Sequence, residues 1–390
     1  MNIAYFDHNS TTALQTEVLE AMLPFMTNQH GNATSRHSFG RTARAAVEHA
    51  REQVANAVGA YANQIVFTAS GTEANNFAVR GICSNLDKGQ ILTSAIEHPC
   101  VSRPALAMQS SSKQAKSIHV DSNCNINLAH LQKMLLAPTN LVSVMLVNNE
   151  TGVIQDIAKV AEMAREHKAY VHTDAVQALG KIPVDFFALG VHAMTVSSHK
   201  IGGPLGAGAL VLDKRIDIQP LLYGGGQERG LRSGTENVAA IVGFGAACNL
   251  ATKNLSAFDL HTANLRDHLE IGLAKLNAGL YGSGADATIF GYNGLRVANT
   301  SFFAFNNIEG ETLVTALDKV GFAVASGSAC SSDSTEPSHV LLAMGVPEDL
   351  ARGAVRVSFG LSNTMQEVEH FLLALKQELT RLRNLTAIAA

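Results

Sequence analysis

No two cysteines in this 390-residue chain form a C-x-x-C pair, and their number is odd. Cys83, Cys100, Cys124, Cys248 and Cys330 are too scattered for a disulfide scaffold or a zinc ligand set, and no other metal motif stands out, so no metal is expected. A reducing cytoplasm suits such a set best. The chain also lacks a lysine or arginine run; its net charge is −4, from 29 basic and 33 acidic residues, which argues against direct nucleic-acid binding. The opening residues, Met1 to Asp7, show no basic stretch followed by an apolar one, so no secretory leader is expected. No unbroken apolar run approaches the roughly 18 residues needed to cross a bilayer, so no membrane span is expected. Internal repeats are missing. What remains is 46% hydrophobic and 16% charged, a globular composition in a chain long enough for two to three domains.

Short apolar or β-branched runs alternate with helical patterns through the first two-thirds. Runs 65–68, 90–93, 141–147, 169–173 and 193–196 read as buried strands, and Ile157, Val160, Ala161 and Ala164 mark a helix at i, i+3, i+4, i+7. This alternation predicts an α/β fold with a mostly parallel sheet sandwiched by helices, which binds ligands at the carboxyl ends of its strands. Around residue 255 the texture changes to a smaller α+β set, with strands at 297–305, 321–325 and 354–358 and a helix over 309–320. Thr364 and Glu367 form a capping box before a last helix striped by Val368, Phe371, Leu372, Leu375 and Leu379. The expected division is a large domain over 14–255 and a small domain made of 1–13 and 256–390.

Polar residues sit where the strands end. Lys200 lies in Ser197-Ser198-His199-Lys200-Ile201-Gly202-Gly203-Pro204, directly after an apolar run. A lysine desolvated there can lose its proton and form a Schiff base with a carbonyl. Thr68 to Glu73 follows a strand and opens a helix, with Ser70 and Glu73 at capping-box spacing, and such an N-terminus binds phosphate. Asp174 follows another strand and suits a pyridinium nitrogen; Gln177, one turn on, suits a phenolate oxygen. Glu97-His98-Pro99 offers an imidazole for stacking or proton transfer. Asn149, in Asn148 to Gly152, can bond a cofactor or a substrate carboxylate. Each signal alone is also compatible with a helix cap or a structural residue.

In order and spacing these segments resemble the pyridoxal-phosphate cysteine desulfurases of the NifS/IscS type, over nearly the whole chain. Further matching stretches are Tyr5 to Thr12, Gly31 to Ser35, Gly224 to Glu228, Arg232 to Asn237, Ala325 to Cys330, Glu336 to His339 and Val355 to Ser358. The resemblance implies a fold-type I enzyme with pyridoxal 5'-phosphate bound at Lys200. It implies that Asp174 faces the ring nitrogen, Gln177 its oxygen and His98 its face, while Gly71, Thr72, Ser197 and His199 cradle the phosphate. Thr235 corresponds to a residue that reaches the neighbouring subunit's phosphate in a homodimer. Arg356 and Asn149 correspond to the clamp on the substrate carboxylate, where a guanidinium fork suits the geometry. Three positions depart from the family's commoner residues: Ser10 for alanine, Ser70 for glycine and Ser331 for threonine.

Residues 326–335 form a serine- and glycine-rich stretch carrying Cys330, a poor place for a structural cysteine. The resemblance makes Cys330 the nucleophile that takes sulfur from L-cysteine and passes it as a persulfide to an acceptor protein. Two other readings stay open here: a selenocysteine lyase or other fold-type I lyase or aminotransferase, and a sulfur-relay subunit that binds a partner without turning over. The chain's last residues lack the longer tail with which the housekeeping type docks its scaffold, so the acceptor is left open among iron–sulfur assembly, tRNA thiolation and DNA phosphorothioation.

Overall fold

The computed structural model describes residues 3–279, 287–327 and 336–389. Its strands are β1 (Ala4–Tyr5), β2 (Ile65–Thr68), β3 (Gly89–Ser94), β4 (Lys113–Ile118), β5 (Thr139–Ser143), β6 (Tyr170–Asp174), β7 (Ala193–Ser197) and β8 (Gly208–Leu212). They continue with β9 (Ala287–Ile289), β10 (Thr300–Phe305), β11 (Phe322–Ala323), β12 (Ala325–Ser326) and β13 (Val355–Ser358). The helices that matter for the site are α1 (Thr16–Met26), α2 (Ser38–Ala57), α3 (Gly71–Ser84), α4 (Pro99–Ala107), α5 (Leu128–Leu135), α6 (Ile157–Glu166), α7 (Phe186–Leu189) and α8 (Val238–Gly279). After them come α9 (Gly310–Lys319), α10 (His339–Ala343), α11 (Glu348–Arg352) and α12 (Met365–Ala389).

Seven strands build the main sheet in the order β2-β8-β7-β6-β5-β3-β4, and only β8 runs antiparallel to its neighbours. Successive side chains leave a strand on opposite faces. Val66, Ile91, Leu141 and Leu210 accordingly pack with Phe77 and Ile82 of α3, while Phe67, Leu92, Val142 and Val211 join the core under α2, α6 and α8. Both faces are thus covered, as the strand–helix alternation predicts. A second, antiparallel sheet, β12-β13-β10-β9, packs against α9 and α12 in a smaller core of its own, where the stripe residues Val368, Phe371, Leu375 and Leu379 are buried. The Thr364–Glu367 capping box forms in both directions, at 2.7 and 3.2 Å.

Four sequence expectations change. The run 321–325 is not one strand: β11 pairs with β1, and β12, after Val324, joins β13 in the other sheet. The run 141–147 is a strand only to Ser143; beyond it Val144 and Leu146 still donate to the His172 and Asp174 carbonyls, an irregular buried path that composition does not distinguish from a strand. β4 and β8 are strands beyond the five runs read from the sequence. β4 is a largely polar edge strand, whereas β8 is an apolar run, Gly208-Ala209-Leu210-Val211-Leu212, directly after the glycine turn that follows Lys200. Finally, α8 contains a stretch, 238–276, long and apolar enough by composition to cross a bilayer, although its unbroken apolar run ends at Cys248. Here Phe244, Ala247 and Cys248 pack into the larger core, and Leu265, Leu269 and Leu273 into the smaller one, so the one helix serves both.

The segment between β8 and α8 is pinned from inside. Arg51 of α2 forks onto Glu228 at 2.7 and 2.8 Å, and Glu228 also accepts the Phe67 N–H at 2.8 Å, holding Glu228 and Arg229 at φ of 47° and 60°. Both side chains of the pair are almost fully buried. Arg51→Met leaves a carboxylate buried without its counter-charge and is expected to destabilise by about 3–5 kcal/mol in denaturant unfolding. Arg51→Met/Glu228→Gln is expected to recover part of that loss. A neutral single variant would show that the pair contributes nothing to stability.

Candidate active site

The carboxyl ends of β2, β3, β6 and β7 open onto one cavity of about 360 Å³. The N-terminal segment after β1 contributes Asn9 and Ser10 to its wall, and β13 contributes Arg356. Gly71, Thr72, His98, Asn149, Asp174, Gln177, Ser197, His199, Lys200 and Arg356 all line it, so ten of the twelve residues singled out from the sequence come together. Thr235 does not: it is exposed on the segment preceding α8. Cys330 lies in 328–335, outside the described residues; Gly327 and Ser338 on either side of that stretch bond the Ala354 carbonyl and Glu150 respectively.

At one end of the cavity stands the start of α3. Ser70 is its N-cap, with φ −172° and ψ 165°, an extended conformation that serine adopts without strain, and its hydroxyl accepts the Glu73 N–H at 3.1 Å. The capping box is half formed. The Glu73 carboxylate reaches past Ser70 to the Ala69 N–H, because it also pairs with Arg232 at 2.7 Å. The N–H groups of Gly71 and Thr72 belong to the first turn, which has no intrahelical acceptors. A Cβ on Gly71 would press on Val176 at 3.0 Å and on Ser197 at 3.4 Å. The buried Ser197 hydroxyl beside it has no hydrogen-bond partner among the described residues. Free N–H groups, an orphaned hydroxyl and a positive helix end make an anion cradle.

Asp174, the last residue of β6, is held on both oxygens, by the Val176 N–H at 2.9 Å and the Asn75 amide at 2.6 Å. Burial raises its carboxyl above the ordinary range, opposed by those two donors and by the charges of His98 and Lys200. A cationic ring nitrogen beside it would favour the ionised form. His98 caps α4: its Nδ1 accepts the Cys100 N–H at 3.2 Å, which leaves the ring proton on Nε2, and burial lowers its basicity. His199 is likewise held neutral by burial, near pKa 4. Lys200 leaves the short 3₁₀ turn after β7, and its Nζ donates to the carbonyls of Asn9 and Ser10 at 2.7 and 2.6 Å. Arg356 donates to the Asn149 carbonyl at 3.0 Å and to Asp7 and Ser10 at 2.8 Å each, while its buried Nε has no partner among the described residues.

These groups fit pyridoxal 5'-phosphate: an anion cradle, an amine, a carboxylate and a neutral imidazole share one cavity. The comparisons agree. The aminotransferase class-V family pattern matches residues 4–371. The cysteine desulfurase IscS of Methanosarcina thermophila is 40% identical over 386 residues, covering 98% of this chain and 94% of the relative.

The chain belongs to the class-V aminotransferase family, in its NifS/IscS branch.

The IscS of Dictyoglomus turgidum is also 40% identical, over 98% of this chain and 96% of its own. A solved NifS-like protein superposes with a TM-score of 0.89 at 36% identity, covering 97% of this chain and 99% of that one. The α/β fold with a smaller α+β C-terminal part read from the sequence is the fold of this class-V chain, and the structure adds that the smaller sheet is antiparallel. Four wall or support residues escaped the sequence reading. Asn75 sits one helical turn after Gly71, a spacing that marks it as facing the same way; Cys100 lies 2.8 Å from the His98 Nδ1. Asn9 and Lys181 become visible only when the N-terminal segment is folded against β6 and β7, since neither lies at a strand end.

Proposed function

We propose that this chain is a pyridoxal-5'-phosphate-dependent cysteine desulfurase that converts L-cysteine to L-alanine and carries the sulfur as a persulfide on Cys330. One observation carries the reading: Lys200, Asp174 and the α3 cradle share a single cavity in a chain 40% identical, end to end, to cysteine desulfurases. The cofactor, when bound, withdraws electrons from the substrate's Cα. Gly71, Thr72, Ser197 and His199 would hold its phosphate, Asp174 its ring nitrogen and Gln177 its oxygen, and His98 would lie against the ring and pass protons. Lys200 would be the amine that holds the cofactor and the base that takes the Cα proton. Arg356, positioned by the Asn149 carbonyl, receives the substrate carboxylate. The Cys330 thiolate forms an S–S bond with the substrate sulfur as the Cβ–S bond breaks; the electron pair passes to the carbon skeleton, which takes up one proton at Cβ and regains one at Cα before it leaves as alanine.

The working unit in this proposal is a homodimer, with the exposed Thr235 completing the partner's phosphate site. The sulfur then goes to an acceptor protein, without direct contact to nucleic acid or membrane. The cytoplasm is the proposed location, on the strength of the odd, widely spaced cysteines. Incubating the protein with the cofactor and L-cysteine is expected to release alanine, with a persulfide accumulating until a thiol reductant is added. Turnover of L-selenocysteine alone would place the chain among selenocysteine lyases instead.

A further inference from the structure

Lys181 is 4% exposed and takes no part in the chemistry above. It lies four residues after Gln177, and its Nζ donates to the Gln177 Oε1 at 2.5 Å and to the Asn9 Oδ1 at 2.7 Å. The Gln177 Nε2 in turn donates to the Asn9 carbonyl at 2.9 Å, the same carbonyl that accepts from Lys200. The Asn9 side chain is fixed from the other side by the Asn299 amide at 3.1 Å and by its own bond to Thr300 at 2.9 Å. Each amide end of Gln177 therefore meets a partner of one kind only, an amine on the oxygen and a carbonyl on the nitrogen. A flipped amide would set N–H against N–H and oxygen against oxygen.

We infer that Lys181 is a positioning residue that engages the Gln177 carbonyl oxygen and so obliges this amide to present its remaining N–H to the cavity. The inference rests on the proposed cofactor chemistry, in which that N–H meets an anionic oxygen. The environment supports it. Burial, together with the charges of Lys200 and Arg356, lowers the Lys181 amine well below its ordinary range, and a neutral amine has two N–H donors for the two acceptors it meets. The other titratable neighbour, His8, is also held neutral by burial, near pKa 4. No carboxylate bonds Lys181 among the described residues. On its far side Lys181 borders a second cavity of about 360 Å³, shared with His8, Phe258 and Leu361.

The test is a pH titration of the visible absorbance of the cofactor-loaded protein. Lys181→Met is expected to raise the midpoint by about half to one pH unit, because loss of an N–H donor to an anionic oxygen favours the protonated form. If Lys181 acts through Gln177, Lys181→Met/Gln177→Leu is expected to match Gln177→Leu alone. Equal midpoints in wild type and Lys181→Met, or shifts that add in the double variant, overturn the inference. Should Lys181→Met fail to fold, Lys181→Ala replaces it: return of the midpoint on adding ethylamine, which the second cavity has room to admit, supports the role, and no return overturns it. A wild-type protein without any pH-dependent visible band overturns the cofactor reading itself, whereas an unshifted band overturns only the role of Lys181.

Discussion

Lys200→Ala is expected to abolish the visible absorbance of the cofactor-loaded protein and to lower alanine release from L-cysteine by at least about 10²–10⁴-fold, the range set by loss of one acid–base group. Two roles converge on this one amine, so the loss should lie at or beyond the upper end. The structure gives the amine its setting: a 3₁₀ turn carries it off β7, and two backbone carbonyls of the N-terminal segment hold it at the cavity wall. Lys200→Arg keeps the positive charge but cannot deprotonate. It is therefore expected to be as inactive as the alanine variant. If either variant kept the absorbance band, Lys200 would not be the attachment point. Denaturant unfolding of both proteins checks that the effect is local.

Cys330→Ala is expected to behave in the opposite way spectroscopically. The visible band and its response to added L-cysteine should survive, because other residues supply the cradle, the amine and the carboxylate, while alanine release falls to background. Isotopically labelled sulfur from L-cysteine should appear on the Cys330 peptide of the wild-type protein. The rival is explicit, since Cys100 lines the same cavity. Burial and the neighbouring Asp174 push the Cys100 thiol far up, and a protonated thiol is a poor nucleophile. Sulfur recovered on Cys100, or wild-type turnover by Cys330→Ala, would reassign the nucleophile.

Much of the cavity was legible because strand ends announce themselves. An apolar run followed by polar, glycine-bearing turns places Asp174, Ser197 and Lys200 at a sheet's carboxyl edge, and the helix-start signature does the same for Gly71 and Thr72. The signals that failed share a physical cause. β4 is an edge strand in which Gln114, Lys116 and Ser117 are exposed, so its pattern reads as polar surface. The 238–276 segment looks unremarkable as a run because its apolar residues are spread around a helix that serves two cores. Glu73 satisfies the spacing of a capping box, yet its carboxylate is drawn to Ala69 and to Arg232, 159 residues away in sequence.

Local chemistry thus determined which elements form and which polar side chains sit at their ends, since periodicity, caps and turn residues act within a few positions. The tertiary structure alone decided which of those ends share a wall. Asn9 reaches Thr300 across 291 positions and Lys181 across 172, and Arg356 reaches Asp7 across 349. Those contacts exist because β1 pairs with β11 and carries the N-terminal segment between the two sheets. The amine that marks the cofactor was written in the sequence; the orientation of the amide beside it was set by a lysine that only folding brings there.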